Sequence, residues 1–295
     1  MIGRGIVFYR RGLYALYALL LLLACWAIDL TSGATSPAGG DSWQGYTLGG
    51  VAALLLIWLA ALGIRKRRYE SGGNVVAWVS AHIFMGIALV GIATLHSGDR
   101  LDFNVHVLGY VLLLVVVASG VVGLVLYLAL PGSGLNNRKG VRRADMIDEL
   151  HELNKESLAR AEHCSPAAQL AVRSAIEGTA IGGGLWSRLF AVDRSTFLQP
   201  GDLGDLEAAR SVPNRGQESV LDYIAQYAPR VRAQDEADAL SKLVALIARR
   251  QHLLGRIRRD VQGQAWLGFW RYLHLVLSVA LVTVLIVHVI VVFMY

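Results

Sequence analysis

The chain has 295 residues, 55% of them hydrophobic and 17% charged, with a formal net charge of +6. Its mean hydropathy of +0.47 is too high for an ordinary soluble domain of this length. The cationic excess lies beside apolar segments, so membrane topology accounts for it and no nucleic-acid partner is needed.

Five apolar segments have the length expected of bilayer spans: residues 13–28, 46–64, 75–95, 105–130 and about 268–293. In lipid every backbone amide needs an internal partner, so helices are expected. The first segment is short unless residues 6–9 extend it. Its basic start would also suit a signal peptide, but Ser36-Pro37-Ala38 is a poor cleavage site, so a retained span is expected.

The basic residues predict the orientation. Arg4, Arg10 and Arg11 precede the first span, and Arg65, Lys66, Arg67 and Arg68 follow the second. Arg138, Lys139, Arg142 and Arg143 follow the fourth, and Arg258 and Arg259 precede the fifth. The two alternate loops carry only Arg100, beside Asp41, Asp99 and Asp102. The positive-inside rule then places the N-terminus and residues 131–265 in the cytoplasm of a bacterial-type inner membrane, with the C-terminus periplasmic. The third and fifth spans would run parallel.

Residues 131–265 form a polar insertion with nearly balanced charge, large enough for a cytoplasmic helical domain. Residues 1–130 would hold the first four membrane helices and 266–295 the fifth. Within the insertion, residues 144–161 read as an amphipathic helix. Ser165-Pro166 reads as the N-cap and first residue of a helix reaching about Ile176. Gly182-Gly183-Gly184 breaks the pattern, and residues 193–217, rich in Gly, Pro and Asp, read as loop. Helical periodicity resumes over 220–227 and 233–259, the latter continuing almost directly into the fifth span. The insertion carries no redox or nucleotide motif and is read as a docking module. The two cysteines, Cys25 and Cys164, form neither a Cys-x-x-Cys-His haem c motif nor a cluster-binding run, and no structural disulfide is expected. His151, His163 and His252 have no matched spacing and read as ordinary surface or core residues.

Histidines carry the chemical signal. The third span reads Trp78-x-x-x-His82 and then His96; the fifth reads Trp270-x-x-x-His274 and then His288. Within each pair the histidines are 14 residues apart. At about 100° per residue that returns them to one helix face within roughly 40°, after a rise of about 21 Å. Imidazoles are scarce inside membranes and usually face a cofactor, a cavity or a partner. On parallel helices His82 would face His274, and His96 would face His288. Two haems clamped between the same two helices, with these four residues as axial iron ligands, would explain the matched spacing. The competing readings are structural histidines that tie helices together by hydrogen bonds, and a proton relay. Zinc suits the pairs less well, because its tetrahedral sites need more ligands than each pair supplies.

Other residues fit around this pattern. Gly86 and Gly91 lie between the histidines of the third span and would leave room for a cofactor edge; small residues also bring membrane helices together without one. Trp78 and Trp270 either shield a cofactor or belong to the interfacial aromatic belt. Arg100 and Arg271, or the run at residues 65–68, are candidate partners for anionic haem propionates. His106 opens the fourth span; it is an alternative ligand, a hydrogen-bond partner for a quinone or propionate, or an interfacial residue.

The His-x13-His pairs resemble the di-haem cytochrome b superfamily, which includes cytochrome b of quinol-oxidising bc complexes and membrane cytochrome b subunits of some hydrogenases and formate dehydrogenases. The resemblance covers about half of the chain. It implies an all-α membrane fold in which spans two to five form a four-helix di-haem core, with two haem b held by His82, His96, His274 and His288. It also implies electron transfer with separate iron–sulfur, flavin or multihaem subunits, and raises the question of a quinone site. The chain departs from the family in its polar insertion and in lacking the Pro-Glu-Trp-Tyr motif of bc cytochromes. The expected function is therefore an electron-transfer subunit of a redox complex rather than a self-sufficient enzyme. The alternatives are a non-redox membrane anchor or scaffold with structural histidines, and a stand-alone quinone reductase.

Overall fold

The computed structural model describes residues 9–31, 42–65, 73–98, 105–129, 138–201, 205–231 and 233–294. The chain is predominantly helical, and among the described residues five helices are long and apolar enough to cross a membrane. It divides into two compact units. One comprises the described residues of Met1–Ala129 and Leu267–Tyr295, and the other those of Asn137–Trp266.

The apolar unit contains α1 (Leu13–Leu30), α2 (Trp43–Arg65), α3 (Gly73–Ser97), α4 (Val105–Ala129) and the final part of a long helix that begins in the polar unit. Lipid tails are as apolar as leucine, so close packing, not burial from water, must hold such helices together. Small residues permit it. A Cβ added at Gly91 would come 2.5 Å from Leu22 Cδ2, so α1 and α3 meet there. Cys25 of α1, Leu48 of α2 and Ile92 of α3 form a buried cluster on that side. A second cluster joins Leu59 of α2, Leu89 of α3, Leu113 and Val116 of α4, and Leu281 of the long helix.

The polar unit contains α5 (Arg138–Ala161), α6 (Pro166–Glu177), α7 (Leu185–Leu189), β1 (Thr196–Gln199), β2 (Arg210–Pro213), α8 (Glu218–Tyr227) and the start of α9 (Gln234–Met294). Ser165 caps α6, its hydroxyl accepting from Ala168 N, with Pro166 in the first turn, as the sequence predicts. α6 ends at Glu177, and Gly182 and Gly183, with φ of +93° and +114° that only glycine adopts cheaply, lie in the non-helical connection to α7. The expectation of a featureless loop over 193–217 needs correction. β1 and β2 pair antiparallel, Phe197 opposite Val212, and bury Phe197 in the core. Four-residue strands are too short for their periodicity to show in sequence. α9 runs unbroken for 61 residues.

Two polar networks brace this unit. Arg250, 2% exposed, donates from Nε to Asn154 Oδ1 (2.7 Å), from Nη1 to Gln217 Oε1 (2.5 Å) and from Nη2 to Thr179 Oγ1 (2.7 Å). Arg258 grips Asp193 bidentately, and Asp193 also accepts from the Ser195 and Gly216 amides at 2.9 and 2.7 Å. Burial opposes ionisation of Asp193, but these amides, the Ser195 hydroxyl and Arg258 outweigh it and hold its pKa below the ordinary value.

Candidate functional site

Three histidines converge at one end of the apolar unit. α3 ends at Ser97 and α4 begins at Val105, so the short connection brings His96 and His106 to adjacent helix ends. His288, six residues before the end of α9, completes the group. Their nitrogens all lie within 4.8 Å of one another. Ring centroids are 6.3 Å apart for His96 and His288, 5.9 Å for His96 and His106, and 4.0 Å for His106 and His288. Thr94 and Tyr110 hydrogen-bond at 2.9 Å and tie α3 to α4 beside the cluster.

The backbone of α2 orients one of the rings. His96 Nδ1 lies 3.0 Å from the carbonyl oxygen of Gly45. A carbonyl only accepts, so Nδ1 carries the proton and Nε2 keeps its lone pair. Gly49, one turn further along α2, makes room for the ring: a Cβ there would come 2.8 Å from His96 Cε1.

His82 of α3 and His274 of α9 lie in the other part of the unit. His274 Nδ1 is 2.6 Å from Ser119 Oγ, and Ser119 donates its one proton to Val116 O at 2.8 Å. With that proton on Val116 O, His274 Nδ1 donates to the hydroxyl and Nε2 keeps its lone pair; the opposite tautomer reverses this bond. Among the described residues, His82 Nδ1 is buried without a hydrogen-bond partner. Trp270 lies over the His274 ring, with centroids 5.5 Å apart, and donates to the Ser119 carbonyl at 2.6 Å. Gly123 admits its indole; a Cβ would overlap the ring at 1.9 Å.

No family model, no curated protein and no solved structure matches the chain. The functional reading therefore rests on this geometry.

The structure brings His96 and His288 together, the pairing expected from parallel helices. It adds His106 to the second pair more closely than sequence suggested. Gly86 has open space around its Cβ position. Gly91 does not: Leu22 fills its free face, so that glycine serves the packing of α1 rather than room beside the histidines. Trp78 stacks near Trp58, at 5.5 Å, whereas Trp270 does cover a histidine. Arg271 is exposed, and Arg100 lies outside the described residues. Sequence reasoning missed Gly45, Gly49 and Ser119. Gly45 and Ser119 lie 51 and 155 residues from their histidines, and no local pattern marks them.

The donor set suits haem iron. Imidazole is a haem ligand, and a ligating histidine usually donates its other ring N–H to a neighbour, as His96 and His274 do here. With metal–nitrogen bonds of about 2 Å, two rings on opposite sides of one metal have centroids about 6 Å apart. His96 and His288 meet that separation. His106 and His288, at 4.0 Å, are too close to face each other across a metal. The buried, partnerless Nδ1 of His82 is a polar atom awaiting a partner.

Proposed function

We propose that the chain is a di-haem b-type cytochrome, carrying electrons across the membrane as a subunit of a redox complex. One observation carries the reading: two helices carry histidines at equal spacing, His96 and His288 meet, and His96 and His274 are each held through Nδ1. His82 with His274 would hold one haem, and His96 with His288 the other, on helices from a four-helix core of α2, α3, α4 and α9. When bound between two histidines, haem would supply single-electron transfer. The protein's part is to fix ligand orientation and to exclude water. Gly45 and Ser119 set the tautomers, and Trp270 covers His274. The partners would be membrane lipid and separate iron–sulfur, flavin or multihaem subunits, with quinone as a further electron carrier. The basic loops favour an inner-membrane protein with its polar unit in the cytoplasm and its C-terminus in the periplasm.

A second reading applies to the three-histidine end alone. Three imidazole nitrogens within 4.8 Å of one another also suit a single transition-metal ion. A pyridine haemochrome assay combined with elemental analysis separates the two. The proposal expects two haem b per chain and no other stoichiometric metal. One haem with one equivalent of copper, zinc or non-haem iron supports the second reading. Absence of haem overturns the cytochrome proposal.

A further inference from the structure

The core of the polar unit holds a cation with no anion beside it. Arg250 is 2% exposed, and its hydrogen-bond partners Asn154, Gln217 and Thr179 are all neutral. Among the described residues it forms no salt bridge. Burial, and then the neighbouring Arg258 cation, push its pKa down to about 10, so it stays charged at neutral pH. A buried charge is costly unless an opposite charge offsets it.

Arg250 lines a cavity of about 10 Å³, room for one particle the size of a water molecule. Ser157 of α5 and Gln217, the residue before α8, line it too, and the rest of its wall is apolar. Both are fully buried, and among the described residues Ser157 Oγ and Gln217 Nε2 have no hydrogen-bond partner. A guanidinium only donates, so Gln217 turns its oxygen to Arg250 and its amide nitrogen is left over. Three of the five guanidinium N–H groups are engaged, which leaves two more donors. Gln217 holds this place at a φ of +65°, uncommon for a residue with a side chain. The N-terminal end of α8, which begins at Glu218, adds partial positive charge.

We propose that this cavity is a structural anion site that takes one chloride ion, held by Arg250, Ser157 and Gln217. The ion accepts from every donor left over and offsets the guanidinium charge. A water molecule fits the same volume but carries no charge, and its own two hydrogens need acceptors in a wall of donors. Sulfate, phosphate and carboxylates are too large. The ion joins α5, the start of α8 and α9, so the fold of the polar unit becomes halide-dependent. All of these residues lie in that unit, and the inference is independent of the haem reading and of the membrane.

Hydrogen exchange on the full chain in detergent tests it. The protein is dialysed into sodium gluconate and then moved into sodium chloride at constant ionic strength. Exchange is read by mass spectrometry in peptides from α5, α6, α8 and the part of α9 around Arg250. A ligand that binds only the folded form slows exchange through opening. Exchange there should slow several-fold with a saturable dependence on chloride; bromide should substitute and sulfate should not. Ser157→Ala should raise the half-saturating chloride concentration about tenfold. Gln217→Glu sets a carboxylate against Arg250, so it should be protected without chloride and unresponsive to it. Exchange indifferent to chloride, with none released when the dialysed protein is denatured, overturns the proposal. An equal response to sulfate also overturns it, as general salt screening. Release of one chloride per chain from an indifferent protein shows an ion retained through dialysis and supports it. If Gln217→Glu does not fold, Ser157→Ala and the anion series still decide.

Discussion

His96 donates its Nδ1 proton to the carbonyl oxygen of Gly45 across 3.0 Å, tying a ring on α3 to the backbone of α2. A main-chain acceptor cannot be removed by substitution, but the space beside it can be filled. Gly49→Ala would drive a methyl to 2.8 Å from the ring and force His96 off its acceptor. Loss of such an orienting contact typically costs about 10–100-fold in ligand affinity. Under the proposed function Gly49→Ala should lower haem content toward one per chain and remove a single spectral component. Retention of both components at full occupancy would show that the His96 orientation is immaterial.

Ser119→Ala makes the corresponding test at the other pair. It removes the acceptor of His274 while leaving Trp270 its carbonyl partner. Under the proposed function, the haem that His82 and His274 would hold should bind about 10–100-fold more weakly, and Ser119→Thr should restore it. A redox titration of each variant reads the effect, since changed hydrogen bonding to an axial ligand also moves the midpoint potential. If both variants match the wild type in occupancy and potential, Ser119 has no positioning role.

The Asp193–Arg258 pair predicts acid sensitivity of the polar unit. Their side chains are only 12% and 15% exposed. The folded pKa of Asp193 lies below the ordinary value of 3.8. A depressed carboxylate contributes stability that is present above the unfolded pKa and lost as pH falls through the folded one. Stability should hold above about pH 5 and decline below about pH 4. Asp193→Asn should destabilise the unit by about 3 kcal/mol at neutral pH, because it leaves Arg258 buried without its anion. It should also flatten the decline. Thermal unfolding followed by circular dichroism across pH checks both points.

Arg250 should not tolerate lysine. Its fork meets three neutral acceptors on three separate segments, and an ammonium cannot hold that planar arrangement. Arg250→Lys is expected to cost about 1–3 kcal/mol through unsatisfied buried oxygens. A denaturant midpoint equal to that of the wild type would contradict this.

Much of the fold was legible because its signals are local. The apolar runs, the Ser165-Pro166 start of α6 and the Gly182–Gly184 break each act within a few residues. The continuity of α9 followed from periodicity persisting between residue 233 and the fifth span. The histidine pairs were legible for the same reason, since 14-residue spacing is a property of one helix. What stayed hidden depends on distant segments meeting. Gly45 and Ser119 become partners of histidines only when α2 packs on α3 and α4 packs on α9. His106 joins His288 because a short connection levels two helix ends. β1 and β2 are held by each other and by the core beneath Phe197.

In each histidine pair one ring is tethered and the other has no hydrogen bond among the described residues, and the tethered rings sit on different helices: His96 on α3, His274 on α9. Synthesis therefore delivers the halves at very different times. His82, His96, Gly45 and Ser119 are all translated before the polar unit begins, while His274 and His288 lie on α9, behind that unit. A nascent protein halted before α9 owns a held imidazole at one end and none at the other. Neither pair can form until α9 has been made, so under the proposed function a cofactor would be received only after the polar unit has been translated.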